Sequence, residues 1–351
     1  MGEAVEGAQK ALIDRLPKAE LHVHLEGAAE VETLLHLARR NGIALDRENI
    51  VAARRPRGYR SFDLFARAFL MTVRCLRGLD DFAELAYRHG AAMQRQNIRY
   101  AEITWTPQLY GHLRLPMDAI LEALNAGRAR ARQEWGVEMR WIPDLVRSFP
   151  GPALKVQAWA VSPAARDGGV VALGLGGPEG EDLEPDIREA FARARAAGLP
   201  ANPHAGEGAG PRSVWLALRE LGALRIGHGV RAIEDAELLR HLAERQVTLE
   251  VCPSSNVLLQ IFPSYADHPL KRLLAAGCRV TINSDDPALF GSDLCGEYAH
   301  AVADCGITLQ QVKDSILTAV DSSHLPAAEK QGLRQDFEAE MARLEREAEV
   351  P

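Results

Sequence analysis

Cysteine is scarce in this chain, and what there is lacks pattern. The five residues Cys75, Cys252, Cys278, Cys295 and Cys305 are odd in number and form no C-x-x-C. Neither a disulfide framework nor a thiolate metal site is expected, and a reducing cytoplasm suits such a protein. Positive charge is also short: 41 Lys and Arg face 48 Asp and Glu, a net −7. That balance offers no basic face to meet phosphates and argues against a nucleic-acid partner. No run nears the ~18 apolar residues of a membrane span. The opening MGEAVEGAQKALIDRLPKAE mixes charges without an apolar segment, so no secretory signal is expected. The phosphate-binding signatures G-x-G-x-x-G and G-x-x-x-x-G-K-[ST] are missing, and so is H-E-x-x-H of zinc proteases.

What remains is ordinary globular material: 351 residues, 47% hydrophobic and 25% charged. After a short N-terminal helix at 8–16, eight segments read as strands. They are 18–27, 98–107, 137–146, 170–177, 199–207, 224–230, 247–256 and 278–287. Helical spacing separates them, with helices expected at 29–41, 61–78, 80–96, 116–135, 152–163, 184–197, 211–221, 234–245 and 268–276. Ser61 is the expected cap of the second of these. The arginine-rich stretch 44–60 reads as a solvated loop, and a helical tail fills 297–348. Alternating strands and helices imply a parallel sheet. Eight such units predict an α/β fold, a (β/α)₈ barrel with extra N-terminal and C-terminal helices. With no linker or repeat, residues 1–351 read as one domain.

In such a barrel, chemistry gathers where the strands end. His22 and His24 stand two apart in LHVHLEG, so on a strand both face one way. His204 and Glu207 close the fifth strand in HAGE, His228 closes the sixth in GHG, and Asp285 and Asp286 close the eighth in SDD. Three imidazoles and a carboxylate suit a borderline-soft divalent ion such as zinc, with a position left for water. Such an ion brings the pKa of water towards neutrality. Glu207 then suits a proton shuttle, and His228 suits orientation of the attacking hydroxide. One aspartate of the pair can bind metal while the other faces substrate.

These motifs, PKAELHVHLEGA (17–28), PHAGE (203–207), RIGHGV (225–230), LEVCPSSN (249–256) and TINSDDP (281–287), resemble the adenosine deaminase family of metal-dependent aminohydrolases. The resemblance spans about residues 15–340. It implies one zinc ion per subunit, bound by His22, His24, His204 and Asp285. It implies a small-molecule purine nucleoside as substrate, adenosine by default, converted with water to inosine and ammonia. By the same resemblance Glu207 delivers a proton to purine N1, His228 positions the hydroxide and Asp286 meets N7. The backbone of Gly177, in GLGGPE (174–179), meets N3, and His24 and Glu26 also count among the substrate-binding residues. Phe65 and Phe69 match a lid over the ligand, with core packing as their alternative.

Two positions depart from the pattern of adenosine deaminases proper. Glu26 stands where those enzymes carry Asp against the ribose 5′-hydroxyl. The turn GLGGPE replaces a DLAGDE-like run. Adenine deaminases also tend towards Glu here. The GLGG turn is similar to deaminases of 6-amino-6-deoxyfutalosine, a nucleoside with an aromatic 5′ extension used in menaquinone synthesis. A two-metal barrel hydrolase of phosphoesters or amides is disfavoured, since no lysine closes a strand and Lys155 falls in a helix. His24-Leu25-Glu26 satisfies the H-x-E of zinc cytidine deaminases, but no P-C-x-x-C follows.

Overall fold

The structure, a computed structural model, describes residues 2–54, 58–59, 61–180 and 182–349. Eight parallel strands form one sheet in sequential order: β1 (Lys18–His24), β2 (Ile98–Trp105), β3 (Glu138–Val146), β4 (Leu173–Gly176), β5 (Ala201–Ala205), β6 (Arg225–His228), β7 (Thr248–Val251) and β8 (Arg279–Ile282). The ends of this sheet meet just beyond β8. His24 N donates to Asp285 O (2.8 Å), Asp285 N donates to His22 O (3.0 Å), and Leu21 N donates to Asn283 Oδ1 (3.0 Å). The sheet thereby curls into the (β/α)₈ barrel that the alternating pattern predicts. Strand residues are almost all buried, as expected of parallel strands walled by helices on one side and packed barrel contents on the other.

The barrel's interior is not purely apolar. Arg225 on β6 donates to Glu102 on β2 and, through Nε at 2.5 Å, to Glu250 on β7. All three are buried. Each carboxylate has lost its water, so the shared guanidinium is what makes their burial tolerable.

Several boundaries differ from the sequence reading. The stretch 44–60 is not all loop: Arg47–Ala53 is a helix, capped by Asp46 Oδ1 accepting from Asn49 N at 2.8 Å. Arg55, Pro56, Arg57 and Arg60 of that stretch lie outside the described residues. The seventh strand stops at Val251, because Pro253 opens a helix, Pro253–Leu258, at the position where a missing N–H does no harm. The helix expected at 152–163 is two, Ala153–Ala160 and Pro163–Asp167, the second capped by Ser162. The helix at 211–221 ends in a wider turn, Ala217–Leu221, closed by Gly222 at φ +69°. The first helix begins earlier, at Gly2, and the tail is three helices, Leu294–Ala303, Leu309–Ser322 and Ala327–Glu349. The helix Phe62–Cys75 follows its expected cap, with Ser61 Oγ accepting from Leu64 N.

Candidate metal centre and purine pocket

The histidines arrive from three strands. His22 and His24 sit on β1 and His204 on β5; His228 ends β6, and Asp285 lies just past β8. His24 Nε2 lies 3.1 Å from His204 Nε2. Asp285 Oδ1 lies 3.3 Å from both His22 Nε2 and His24 Nε2. A tetrahedral ion with bonds near 2.0–2.1 Å places its ligand atoms about 3.3 Å apart. The observed spacings therefore fit a divalent ion. Donor atoms of His22, His204, His228 and Asp285 all lie within 4.8 Å of one another, so His228 also stands at the edge of the centre.

Hydrogen bonds behind the ligands aim them. His22 Nδ1 donates to Glu250 Oε2 (3.0 Å) and His204 Nδ1 to Leu175 O (2.9 Å). Each ring thereby turns its Nε2 inward, where a bound cation would take the lone pair in place of a proton. Buried His22 Nε2 has no protein hydrogen-bond partner. The electrostatics also call for positive charge. Burial opposes protonation of His22 and His24, yet Asp285 and Glu250 hold the first up to about 10, and Asp286 and Asp285 the second to about 9. Burial would raise the Asp285 carboxyl, but the His22 and His24 rings, each 3.3 Å away, hold it far below the usual range. The backbone yields to the site too: His228 (φ +61°) and Asp285 (φ +62°) occupy the left-handed region that side chains disfavour.

The tautomer of His228 is fixed from a distance. Leu270 N donates to His268 Nδ1 (3.2 Å), so that ring carries its proton on Nε2, which donates to Asn256 Oδ1 (3.1 Å). Asn256 must then present its amide N–H to His228 Nδ1, at 3.2 Å. His228 is left with Nε2–H, 3.6 Å from Glu207 Oε1 and 3.9 Å from Asp285 Oδ2. Burial takes its pKa down to about 3, so the ring is neutral.

Glu207 sits on a loop pinned by Glu179, whose carboxylate accepts from the N–H groups of Gly206, Glu207 and Gly208 at 2.9, 2.8 and 3.2 Å. Burial, then the Asp285 and Glu179 carboxylates, push the Glu207 carboxyl well above its ordinary range. Asp286 is raised by burial and by Asp285. Its carboxylate fills the space over Gly27, where an added Cβ would fall 1.6 Å from Asp286 Oδ1, so the glycine of HLEG makes room for it.

A cavity of about 230 Å³ opens above these groups. His24, His204, Glu207, His228, Asp285, Asp286 and Gly177 line it, with Phe62, Phe65, Phe69, Leu70, Leu109 and Leu259 as apolar wall. Phe69 meets His24 edge-on at 6.2 Å, while Phe65 stacks on Phe290 at 5.6 Å. Both readings of that aromatic pair thus have a footing: each ring faces the cavity and also packs. Glu26 is placed differently. It is fully buried, its Oε1 accepts from Thr106 N (3.0 Å) and Tyr110 OH (2.8 Å), and it is not among the lining residues. One ionisable lining residue escaped the sequence reading. Asp144, near the end of β3, is buried, and its carboxyl is raised by burial to about 7. The rule that found the other groups, polar residues at strand ends, would have found it in VEMRWIPDLV. No helix among the described residues is long and apolar enough to cross a membrane, and all five cysteines are free and buried.

Comparison with known proteins agrees with this geometry. The chain is 40% identical over 331 residues to the aminodeoxyfutalosine deaminase of Streptomyces coelicolor, covering 91% of this chain and 83% of that one. It is 37% identical over 298 residues to an adenine deaminase of Bordetella avium, covering 85% and 94%. An amidohydrolase of Burkholderia ambifaria solved with bound Zn superposes with a TM-score of 0.89 at 27% identity, covering 97% and 95%. Residues 17–340 match the adenosine deaminase family, and the chain belongs to that family of hydrolases acting on carbon–nitrogen bonds of purines.

Proposed function

We propose that this protein is a zinc-dependent hydrolytic deaminase of 6-aminopurine nucleosides. It replaces the exocyclic amine at C6 with oxygen and releases ammonia, as in adenosine plus water giving inosine. The observation that carries the reading is one cavity lined by Glu207, His228 and Asp286 together with His24, His204 and Asp285, with His22 Nε2 3.3 Å from Asp285 Oδ1.

One zinc ion held by His22, His24, His204 and Asp285 would supply hydroxide by lowering the pKa of water. The chain's own groups do the rest. Purine N1 is an acceptor and must gain a proton as C6 becomes tetrahedral. Glu207, kept protonated by burial, donates it. The neutral His228 offers Nε2–H to the attacking oxygen. The Glu207 carboxylate then takes the proton of the new hydroxyl and passes it to the amine, which leaves as ammonia. N7 is also an acceptor, so Asp286 meets it as a protonated acid. The backbone of Gly177, free of a side chain at φ +85°, meets N3.

Among such nucleosides, aminodeoxyfutalosine, with its aromatic 5′ extension, is the substrate we assign. Glu26 Oε1 is held by Thr106 and Tyr110, and Glu26 is not among the residues that line the cavity. Phe62, Leu109, Val146 and Leu259 give an apolar wall, and no lysine or arginine appears among the described lining residues, which disfavours a 5′-phosphate. The name of the Streptomyces relative supports the same choice. The test is steady-state deamination of adenosine, 2′-deoxyadenosine, adenine, 5′-methylthioadenosine and aminodeoxyfutalosine by the zinc-loaded protein. The highest kcat/KM should fall to the 5′-extended nucleosides. A clear preference for adenosine would reject that assignment while keeping the deaminase.

A further inference from the structure

The barrel's strand order can be laid against the perimeter of a purine. On the proposed function, on which this inference rests, Glu207 beside β5 serves N1, Gly177 beside β4 serves N3, and Asp286 beside β8 serves N7. Going round the ring from N1 through N3, the next position is N9 with its sugar. Going round the barrel from β5 through β4, the next strand is β3. The polar group β3 presents to the cavity is Asp144.

Asp144 is built into place. It is 3% exposed, yet Oδ1 has no hydrogen-bond partner in the protein. A buried carboxylate oxygen without a partner is unfavourable unless something else bonds it. The neighbouring strand makes room for the carboxylate. A Cβ added to Gly174 would fall 1.8 Å from Asp144 Oδ1, and one added to Gly176 2.6 Å from Oδ2. The GLGG turn is thus read as clearance: its first and third residues lack side chains so that an acid from β3 can lean over them. Glu26, the acid that follows β1, bonds Thr106 and Tyr110 through Oε1 and, although its Oε2 is unpartnered, does not line the cavity as Asp144 does.

We propose that Asp144 is a specificity-determining residue that accepts a hydrogen bond from a ring hydroxyl of the ribose at N9. A 5′-extended nucleoside keeps its 2′- and 3′-hydroxyls, so the contact is available to it. A free base brings no hydroxyl and leaves Asp144 desolvated and unpaired. Sites built around a substrate hydroxyl reject analogues lacking it far more strongly than apolar pockets do. Asp144 thereby turns the cavity towards nucleosides and away from adenine.

The experiment measures kcat/KM for adenosine, 2′-deoxyadenosine, 3′-deoxyadenosine and adenine, with zinc content, in the wild type and in Asp144→Ala. In the wild type, adenosine should exceed at least one deoxy analogue by about tenfold or more, the loss expected for a hydrogen bond to a charged group. In Asp144→Ala that ratio should fall to near one, with zinc content retained. A wild type indifferent to both hydroxyls overturns the proposal, and needs no variant to fold. A preference that survives in Asp144→Ala overturns it equally. Zinc-loaded wild type that turns over none of the four, nor aminodeoxyfutalosine, sinks the deaminase reading itself.

Discussion

Asn256 and His228 face each other across 3.2 Å, the amide N–H of one donating to Nδ1 of the other. The direction of that bond is set by the backbone N–H of Leu270 acting through His268. A donor at Nδ1 puts the imidazole proton on Nε2, towards Glu207 and Asp285. Replacing Asn256 by Asp turns the donor into an acceptor and moves that proton to Nδ1. For Asn256→Asp we expect kcat down about a hundredfold or more, with zinc content kept. An unchanged kcat would remove the tautomer from the mechanism.

Glu207 carries the proton transfers in the proposed reaction. Glu207→Gln keeps size and most hydrogen bonding but not the proton. Its turnover should fall by about 10²–10⁴-fold while nucleoside binding and metal content persist. Single-turnover rates and metal analysis on the same sample check this, and near-normal turnover would contradict it.

Asp285 touches His22 and His24, and its loss leaves two imidazoles facing one another. Asp285→Ala should lower metal content. In the intact protein, a chelator should abolish activity and lower the melting temperature, and added zinc should restore both. Chelation that leaves the rate untouched would argue against a metal-dependent reaction.

Glu250 ties the metal site to the barrel's floor, since it accepts from both His22 and Arg225. Burial alone would raise its carboxyl, but Arg225 and then His22 outweigh burial and hold it near 2, against 4.5 for the free group. A depressed carboxyl stabilises the fold above its unfolded pKa. That contribution drains away as pH falls from about 4.5 to about 2. Glu250→Gln should therefore flatten stability against pH across that window, as denaturant melts would show; parallel curves would refute it. Arg225→Met strands two buried carboxylates and should destabilise by about 3–5 kcal/mol.

Much of this was legible in the sequence, and the particular residues say why. The β1 pair His22 and His24 is a local pattern, since period-two spacing needs only a strand. His204, His228 and Asp285 follow from counting strands and looking at their ends. The helix at Arg47–Ala53 had a signal in Asp46, but the surrounding arginines and Pro56 obscured it. The floor triad of Glu102, Arg225 and Glu250 could not be read. Those residues sit on three strands, and only barrel closure brings them together. Glu26 shows the same limit: whether it faces the cavity or Tyr110 depends on packing around a residue 84 positions away. Asp144 was within reach and needed only the strand-end rule applied to β3.

The central claim is that the metal cluster and Glu207 deaminate a 6-aminopurine nucleoside. The most direct measurement incubates zinc-loaded protein with aminodeoxyfutalosine and with adenosine, following the purine ultraviolet band and released ammonia together. The account predicts one ammonia per purine converted, faster with the 5′-extended nucleoside, and a Glu207→Gln control without turnover. Intact purine and no ammonia from either substrate, with zinc bound, would contradict it.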